Sequence, residues 1–538
     1  MDGEYGGEFH GPAAAGAHKG PPVQYHPRSS IVVDSCRTVD APGKATGKHT
    51  AVASAAAAAQ PCPGAPFLST GLPDRAVFLR GSTLRHVVIM TSASAVGLVA
   101  MFAVDMVDMY FLTLLGEQEL AAAVGFAGTL LFFLVSVSIG LQIALGALVA
   151  RSEGRHRRDL AGRYCSSALA FNFLVAALIS AAGWLHLPAL LGFLGARGQT
   201  LEYAVSYAGI MLPAMPILVL GMSAATAVRA LGDARRSMWA TVLGSLVNAA
   251  LDPLFIFVFG WGLEGAAVAS VFARLVVLAV AWHALAVVHR LPCRITRAEF
   301  QADLRPILTI AGPAVLTNVA TPIGGSFVLM TMAPFGDSAV AGAAIMGRIT
   351  PLAMAAVFAL SGAIGPIVGQ NAGAGRYDRV RSTLVNAVMF NVVYVALVWL
   401  LLWLGADLIA RGFSASGPAR QLILFYCEFL AGAFVFNGLL FISNASFNNL
   451  HHAHWATGFN FGRALLGTIP AVYLGARWFG PRGVMAGEAV GSMLFGVLAI
   501  LAAFALVRRL ARQHQPMAPD PGAASAVASL PINPVPPL

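Results

Sequence analysis

The chain is patterned as long apolar blocks divided by short polar connectors. Between residues 86 and 507 the blocks reach about twenty residues or more, enough to cross a hydrocarbon core of roughly 30 Å as helix. None alternates polar and apolar residues with the period of a strand. Lipid offers no partner to backbone N–H and C=O groups, so these blocks are read as helices. Twelve spans are predicted, at 86–113, 120–149, 163–185, 203–230, 238–260 and 264–288, then at 306–331, 339–368, 383–403, 422–446, 456–478 and 484–507. The fold class is an all-α membrane protein of two six-helix lobes, 86–290 and 306–507, with 291–305 as the cytoplasmic linker. Residues 1–80 hold low-complexity runs such as Ala55–Ala59 and no amphipathic period. They read as a disordered extension or a misplaced start, without the compact apolar core and cleavage site of a signal peptide. The Pro-rich stretch 513–538 reads as a disordered tail.

Composition agrees. Only 11% of residues are charged and 57% are hydrophobic, where a soluble domain carries about 25% charge. A net charge of +10 would suit a nucleic-acid binder, but the placement of the charge argues for a bilayer as partner and no nucleic acid. Fifteen arginines lie in or beside the connectors after spans 2, 4, 6, 8 and 10, against five (Arg197, Arg411, Arg420, Arg477, Arg482) after odd spans. Basic connectors stay in the cytoplasm, which puts both termini there. The five cysteines (Cys36, Cys62, Cys165, Cys293, Cys427) have no metal-type spacing.

The halves repeat each other. Leu148–Asp159 reads LVARSEGRHRRD and Ile367–Asp378 reads IVGQNAGAGRYD, so Val149 meets Val368, Gly154 meets Gly373, Arg157 meets Arg376 and Asp159 meets Asp378. Both segments leave an even-numbered span on the same side, so the repeat is parallel. Such repeats are typical of alternating-access carriers.

Four motifs carry a resemblance: VDMYFLTLLGEQELAAAVG (107–125), RALGDARRSM (229–238), NAALDPLFIFVFGWGLEGAAVAS (248–270) and GPIVGQNAGAGRYDRV (365–380). In their order and spacing they resemble the multidrug and toxic compound extrusion (MATE) family, over about 86–507. The resemblance implies a V-shaped pair of bundles in a bacterial inner membrane. It also implies a monomeric antiporter that exports amphipathic, cationic small molecules in exchange for H⁺ or Na⁺, with no other cofactor.

Ionisable residues inside a span are costly and are functional candidates. Asp108 lies in span 1, with Asp105 one turn earlier on the same face. Asn248 and Asp252 share one face of span 5. The resemblance maps the family's first-lobe coupling acid to Asp108 and its Asn/Asp site to Asn248 and Asp252. Ser270 stands where the family carries a hydrogen-bonding Thr. The plainer alternatives are hydrated acids near an interface and a helix break at Asp252-Pro253. Low dielectric disfavours a charged carboxylate, so such an acid can trade a proton for a cationic cargo. The oxygens of the same cluster would also suit Na⁺. Span 7 lacks the acid that some family members use for Na⁺, which favours H⁺ and the first lobe.

Secondary candidates are Asp105, Glu428 (paired, if structural, with Arg463), Arg348 and Glu488. Met106, Met109, Tyr110 and Phe255 are candidates for an apolar cargo wall. Of the family-motif residues Gly365, Pro366, Gln370, Asn371 and Gly373, the side chains of Gln370 and Asn371 are expected to cap a helix. Gly373 and Gly375 are expected to permit the turn after it. His451, His452 and His454 read as a substitute for loop charge rather than a metal site. Prolines in or beside spans, among them Pro213, Pro253, Pro322 and Pro351, are candidate hinges. A lipid-linked oligosaccharide flippase is the alternative function. No HExxH, GxSxG or P-loop motif is present, so an enzyme is not expected.

Overall fold

Helix accounts for all regular structure in the computed structural model, which describes residues 76–114, 118–413 and 415–514. The calls made for residues 1–75 and 515–538 lie outside the described residues, as do the side chains of Met109, Tyr110 and Pro322. The helices, numbered along the chain, are α1 (Thr83–Leu114), α2 (Gln118–Gly154), α3 (Arg158–Leu185) and α4 (Gly198–Met211 and Met215–Ala230, bent by 49° at their junction). Then come α5 (Ala234–Val258), α6 (Gly262–Val288), α7 (Arg297–Met332), α8 (Asp337–Ala353 and Ala355–Gly373), α9 (Tyr377–Gly412) and α10 (Gly417–Asn449). Finally, the run Ala453–His514 breaks at Gly480, whose φ of 61° is left-handed, with Pro481 beside it. Its two arms are α11 (453–479) and α12 (481–514). All twelve predicted spans are thus present among the described residues.

The breaks have sequence causes. Pro213 and Pro216 sit at the bend of α4, and Pro351 lies just before the break in α8. Arg274 of α6, 9% exposed, donates to the Met211 carbonyl at 2.8 Å and satisfies an acceptor that the α4 bend leaves free.

Three boundaries differ from expectation. Part of the stretch read as an extension to residue 80 is ordered, since the described residues begin at Ala76. Val77–Leu79 form a short 3₁₀ turn whose Phe78 is 1% exposed. The linker read as 291–305 ends at Thr296. Thr296 and Glu299 form a capping box that starts α7 at Arg297, and Asp303, buried in α7, pairs with Arg163 and accepts from Ser167 at 2.7 Å. The twelfth helix continues to His514 rather than 507.

The halves interlock at their arginine-rich end. One apolar core there joins α2, α3 and α4 with Ile307, Ile310 and Ala311 at the start of α7. A second joins α8, α9, α10 and α12 with Val87 and Met90 at the start of α1. Each half thus takes in the first helix of the other. Between them α2 and α8 cross closely. A Cβ on Gly154 would collide with the Gln370 carbonyl, and one on Gly373 with the Arg151 carbonyl. These are the residues that the internal repeat pairs, so the parallel repeat is reproduced in space.

Candidate functional site

The acid cluster lies between α1 and α5. On α5, Pro253 has no amide hydrogen to give the ladder, and a wide turn follows it, with the Phe259 N–H donating to the Leu254 carbonyl at 2.9 Å. Asp252 precedes this break, and Asn248 lies one turn earlier on the same face. Asn248 Nδ2 donates to Asp252 Oδ2 at 2.7 Å and to both oxygens of Asp108 at 3.1 Å. One amide therefore bridges two carboxyl groups from different helices and holds them within electrostatic reach of each other. Asp252 is fully buried, Asn248 is 6% exposed and Asp108 is half-buried. Asp252 Oδ1 is buried with no hydrogen-bond partner, which is uncommon for so polar an atom.

The other first-half candidates are less engaged. Asp105 is exposed, and its charge is close enough to act on Asp108. Ser270 is half-buried and makes no hydrogen bond to the cluster. Met106 is 47% exposed, while Phe255 stacks on Trp261 with centroids 5.4 Å apart. Tyr207 of α4, which sequence reasoning did not single out, lies within electrostatic range of Asp105, Asp108, Asp252 and Arg274. Its only sequence signal is a polar tip in an apolar block.

In the second half several expectations change. Glu428 forms no ion pair with Arg463, and its backbone carbonyl instead accepts from Trp399 Nε1 at 3.0 Å. Arg463 reaches Ser492 at 3.4 Å, and its buried Nε has no partner. Its nearest acidic influence is Glu488. Arg348 is exposed and makes no hydrogen bond or ion pair among the described residues.

Gln370 and Asn371 are not helix caps. Both are fully buried. Gln370 Nε2 donates to the Ala230 carbonyl of α4 at 2.9 Å, and its Oε1 accepts from Phe78 N at 3.1 Å. Asn371 Nδ2 donates to the Phe78 and Ile367 carbonyls. Gly373 does not make the turn; it lies on the face of α8 that meets α2, in line with Gly365 and Gly369, while Pro366 is buried within that helix. Gly375, with φ of 71°, makes the turn. Among the described residues no group of three or more His, Cys, Asp or Glu side chains could hold a metal. His452 Nδ1 instead contacts the Leu450 carbonyl. His451 is exposed, and partial desolvation together with Arg151, Arg155 and His452 pushes its pKa down to about 4. That direction disfavours His451 as a substitute for a loop arginine at pH 7.

The MatE family model matches residues 93–254 and 313–474, once in each half. The chain belongs to the MatE family. Among curated proteins it is similar to the FAD transporter of Shewanella oneidensis, 27% identical over 435 residues, covering 79% of this chain and 95% of that one. It is also similar to the multidrug export protein MepA of Staphylococcus haemolyticus, 23% identical over 409 residues, covering 75% and 89%. Among solved structures, a mutant of the Vibrio cholerae MATE transporter VcmN superposes with a TM-score of 0.77 at 24% identity, covering 80% of this chain and 99% of that one. That likeness establishes the fold: this is a multi-pass membrane protein of the MATE architecture.

Proposed function

We propose that this MatE protein, a transporter and not an enzyme, is a secondary antiporter that exports a small molecule in exchange for H⁺ by alternating access. The observation that carries this reading is the Asp108–Asn248–Asp252 bridge between α1 and α5, with a buried carboxylate oxygen left unpartnered. Two carboxyl groups this close share protons as a pair rather than independently. The Asn248 amide turns its N–H donors to the acids. That suits a proton between them better than Na⁺, which would call for an oxygen at that place. In this reading a proton arriving from outside neutralises the pair, removes the cost of a charge held away from water, and lets α1 repack against α5. Cargo held near the charged pair is displaced when the pair is neutralised. One charge crossing 100 mV contributes roughly 2.3 kcal/mol to the cycle.

For the cargo, an amphipathic organic cation fits the acid pair, and proteins named for multidrug export are among the relatives. A flavin dinucleotide is the second reading, favoured by the Shewanella relative over nearly its whole length and by the intramembrane arginines Arg274 and Arg463. Nothing among these relatives favours the oligosaccharide flippase. The test is transport in proteoliposomes, with a fluorescent cationic dye and FAD as alternative cargos and a pH or Na⁺ gradient imposed. Asp252→Asn and Asp108→Asn should each cut pH-driven flux at least about tenfold, as intramembrane acids in ion pathways do when neutralised. Normal flux in both variants would remove the coupling site while leaving the family unchanged.

A further inference from the structure

We propose that the segment just before α1, residues 76–81, is a latch that holds the arginine-rich ends of the two halves together and must release before the protein opens on that side. The inference rests on the alternating-access reading, although its geometry is independent of the acid pair.

The segment is short but thoroughly held. Five of its polar contacts come from the end of α8 and from the loop and helix start that follow it. Arg379 Nη2 donates to the Phe78 carbonyl at 2.9 Å and to that of Arg80 at 3.3 Å, and its Nη1 donates to Gly81 at 3.0 Å. Arg376 Nη1 donates to the Leu79 carbonyl at 2.8 Å, and Asn371 Nδ2 to that of Phe78 at 3.2 Å. Arg379 Nε also donates to Asn371 Oδ1 at 3.0 Å, locking two of the three gripping side chains to each other. Bonds from charged donors to carbonyls in a partly dry setting are among the stronger neutral-acceptor bonds.

The same segment touches the first half. The Phe78 ring belongs to an apolar core that contains Ala234 of α5 as well as Leu360 and Ile364 of α8. Val77 lies against Gly232 in the connector between α4 and α5, where a Cβ would come within 3.2 Å of the Val77 Cβ. Gln370 completes the bridge, with one end on Phe78 N and the other on the Ala230 carbonyl. A buried phenyl ring and a buried amide thus span the seam that must part if that end opens.

The latch is continuous with the helix that carries Asp108. At the start of α1, Thr83 Oγ1 lies 2.8 Å from Ser382 Oγ and accepts from Asn386 Nδ2, both on α9. From Thr83 to Asp108 a straight helix rises by about 37 Å. One rigid rod therefore has its far end in the acid cluster and its near end tied to the opposite half. A shift of α1 on neutralisation of Asp108 would pull directly on the latch.

Two experiments on the full-length protein test this. In a background freed of the native cysteines, nitroxides at Arg235 and Arg381, both exposed and one in each half, report the separation of the two ends. Phe78→Ala should raise the population of a longer distance at least about threefold over the parent. Arg379→Gln should do the same without touching the apolar core. Unchanged distributions in both folded variants would overturn the latch. The second experiment locks it. Thr83→Cys with Ser382→Cys, oxidised in proteoliposomes, should stop transport, and reduction should restore it. Full transport by the oxidised protein would equally overturn the proposal. If distances respond to Phe78→Ala but flux ignores the pH gradient, the latch stands and the coupling reading falls.

Discussion

The two halves of this protein are alike where they meet and unlike where chemistry is held. At the arginine-rich end Gly154 and Gly373 play the same part, each admitting a carbonyl from the other half. Between α1 and α5 the first half places Asp108, Asn248 and Asp252. At the spacing set by Val149 and Val368, the corresponding residues of the second half are Phe327, Gly467 and Ala471. Gly467 there meets Gly491 of α12 backbone to backbone. The polar bridge of one half is replaced by a close helix seam in the other. The difference teaches that the repeat supplies a frame, and that the amide-bridged pair of acids is built into the first copy of it.

The frame can be attacked symmetrically, with the largest expected effect. Gly373→Val and Gly154→Val should each destabilise the protein by about 1–3 kcal/mol or more, because a side chain must force two backbones apart. Thermal melting in detergent measures it. Similar losses in the two variants would support the shared frame. A large loss in one and none in the other would show that the repeat is sequence likeness without mechanical equivalence.

The loading should be asymmetric. Glu488→Gln and Glu428→Gln should each leave pH-driven flux within about threefold of the parent, since among the described residues neither carboxyl is bridged to a second acid as Asp108 and Asp252 are by Asn248. The proteoliposome assay used for Asp252→Asn decides it. If Glu488→Gln abolished coupling, the second half would hold an ion site of its own and the contrast would fail.

What the sequence disclosed follows the range of the forces involved. Asn248 and Asp252 were legible because helical spacing alone stacks them. Asp108, far away in the chain, joined them only through resemblance to a family. The start of α7 was legible in principle, since Thr296 and Glu299 have capping-box spacing in plain view, but a hydropathy reading places boundaries by apolarity and passed over it. Residues 76–81 were illegible for a different reason. AVFLRG is too short to form a block, and its order comes from arginines some three hundred positions later. The place of Gln370 and Asn371 on α8 is legible, but their task is not. Nothing local reveals that a buried amide serves a neighbour from the other half.

The smallest expected effect concerns the matching connectors after α4 and α10, where the repeat pairs Asp233 with His452 and Gly232 with His451. Burial pushes the Asp233 carboxyl up, but hydrogen bonds from His289 and Arg236, together with the Arg236 charge, outweigh it and hold the group well below the usual carboxylate range. His451 is likewise depressed, to about 4, by desolvation and then by Arg151, Arg155 and His452. In both cases the unfolded chain binds a proton that the folded one refuses, so stability falls as pH falls. The windows differ. His451 acts between its ordinary value of about 6.5 and 4, whereas Asp233 acts below about 3.9. The difference in melting temperature between the parent and the His451→Asn and Asp233→Asn variants, measured from pH 7 to 3, should therefore change in two stages. His451→Asn should flatten the first at little cost, since its φ of 64° is one that Asn tolerates. Asp233→Asn should soften only the second, because Asp159 and Glu299 are also depressed and still contribute there. A first stage that survives His451→Asn would mean that another group titrates between pH 4 and 6.5, and the two connectors would then not differ in the way their neighbours dictate.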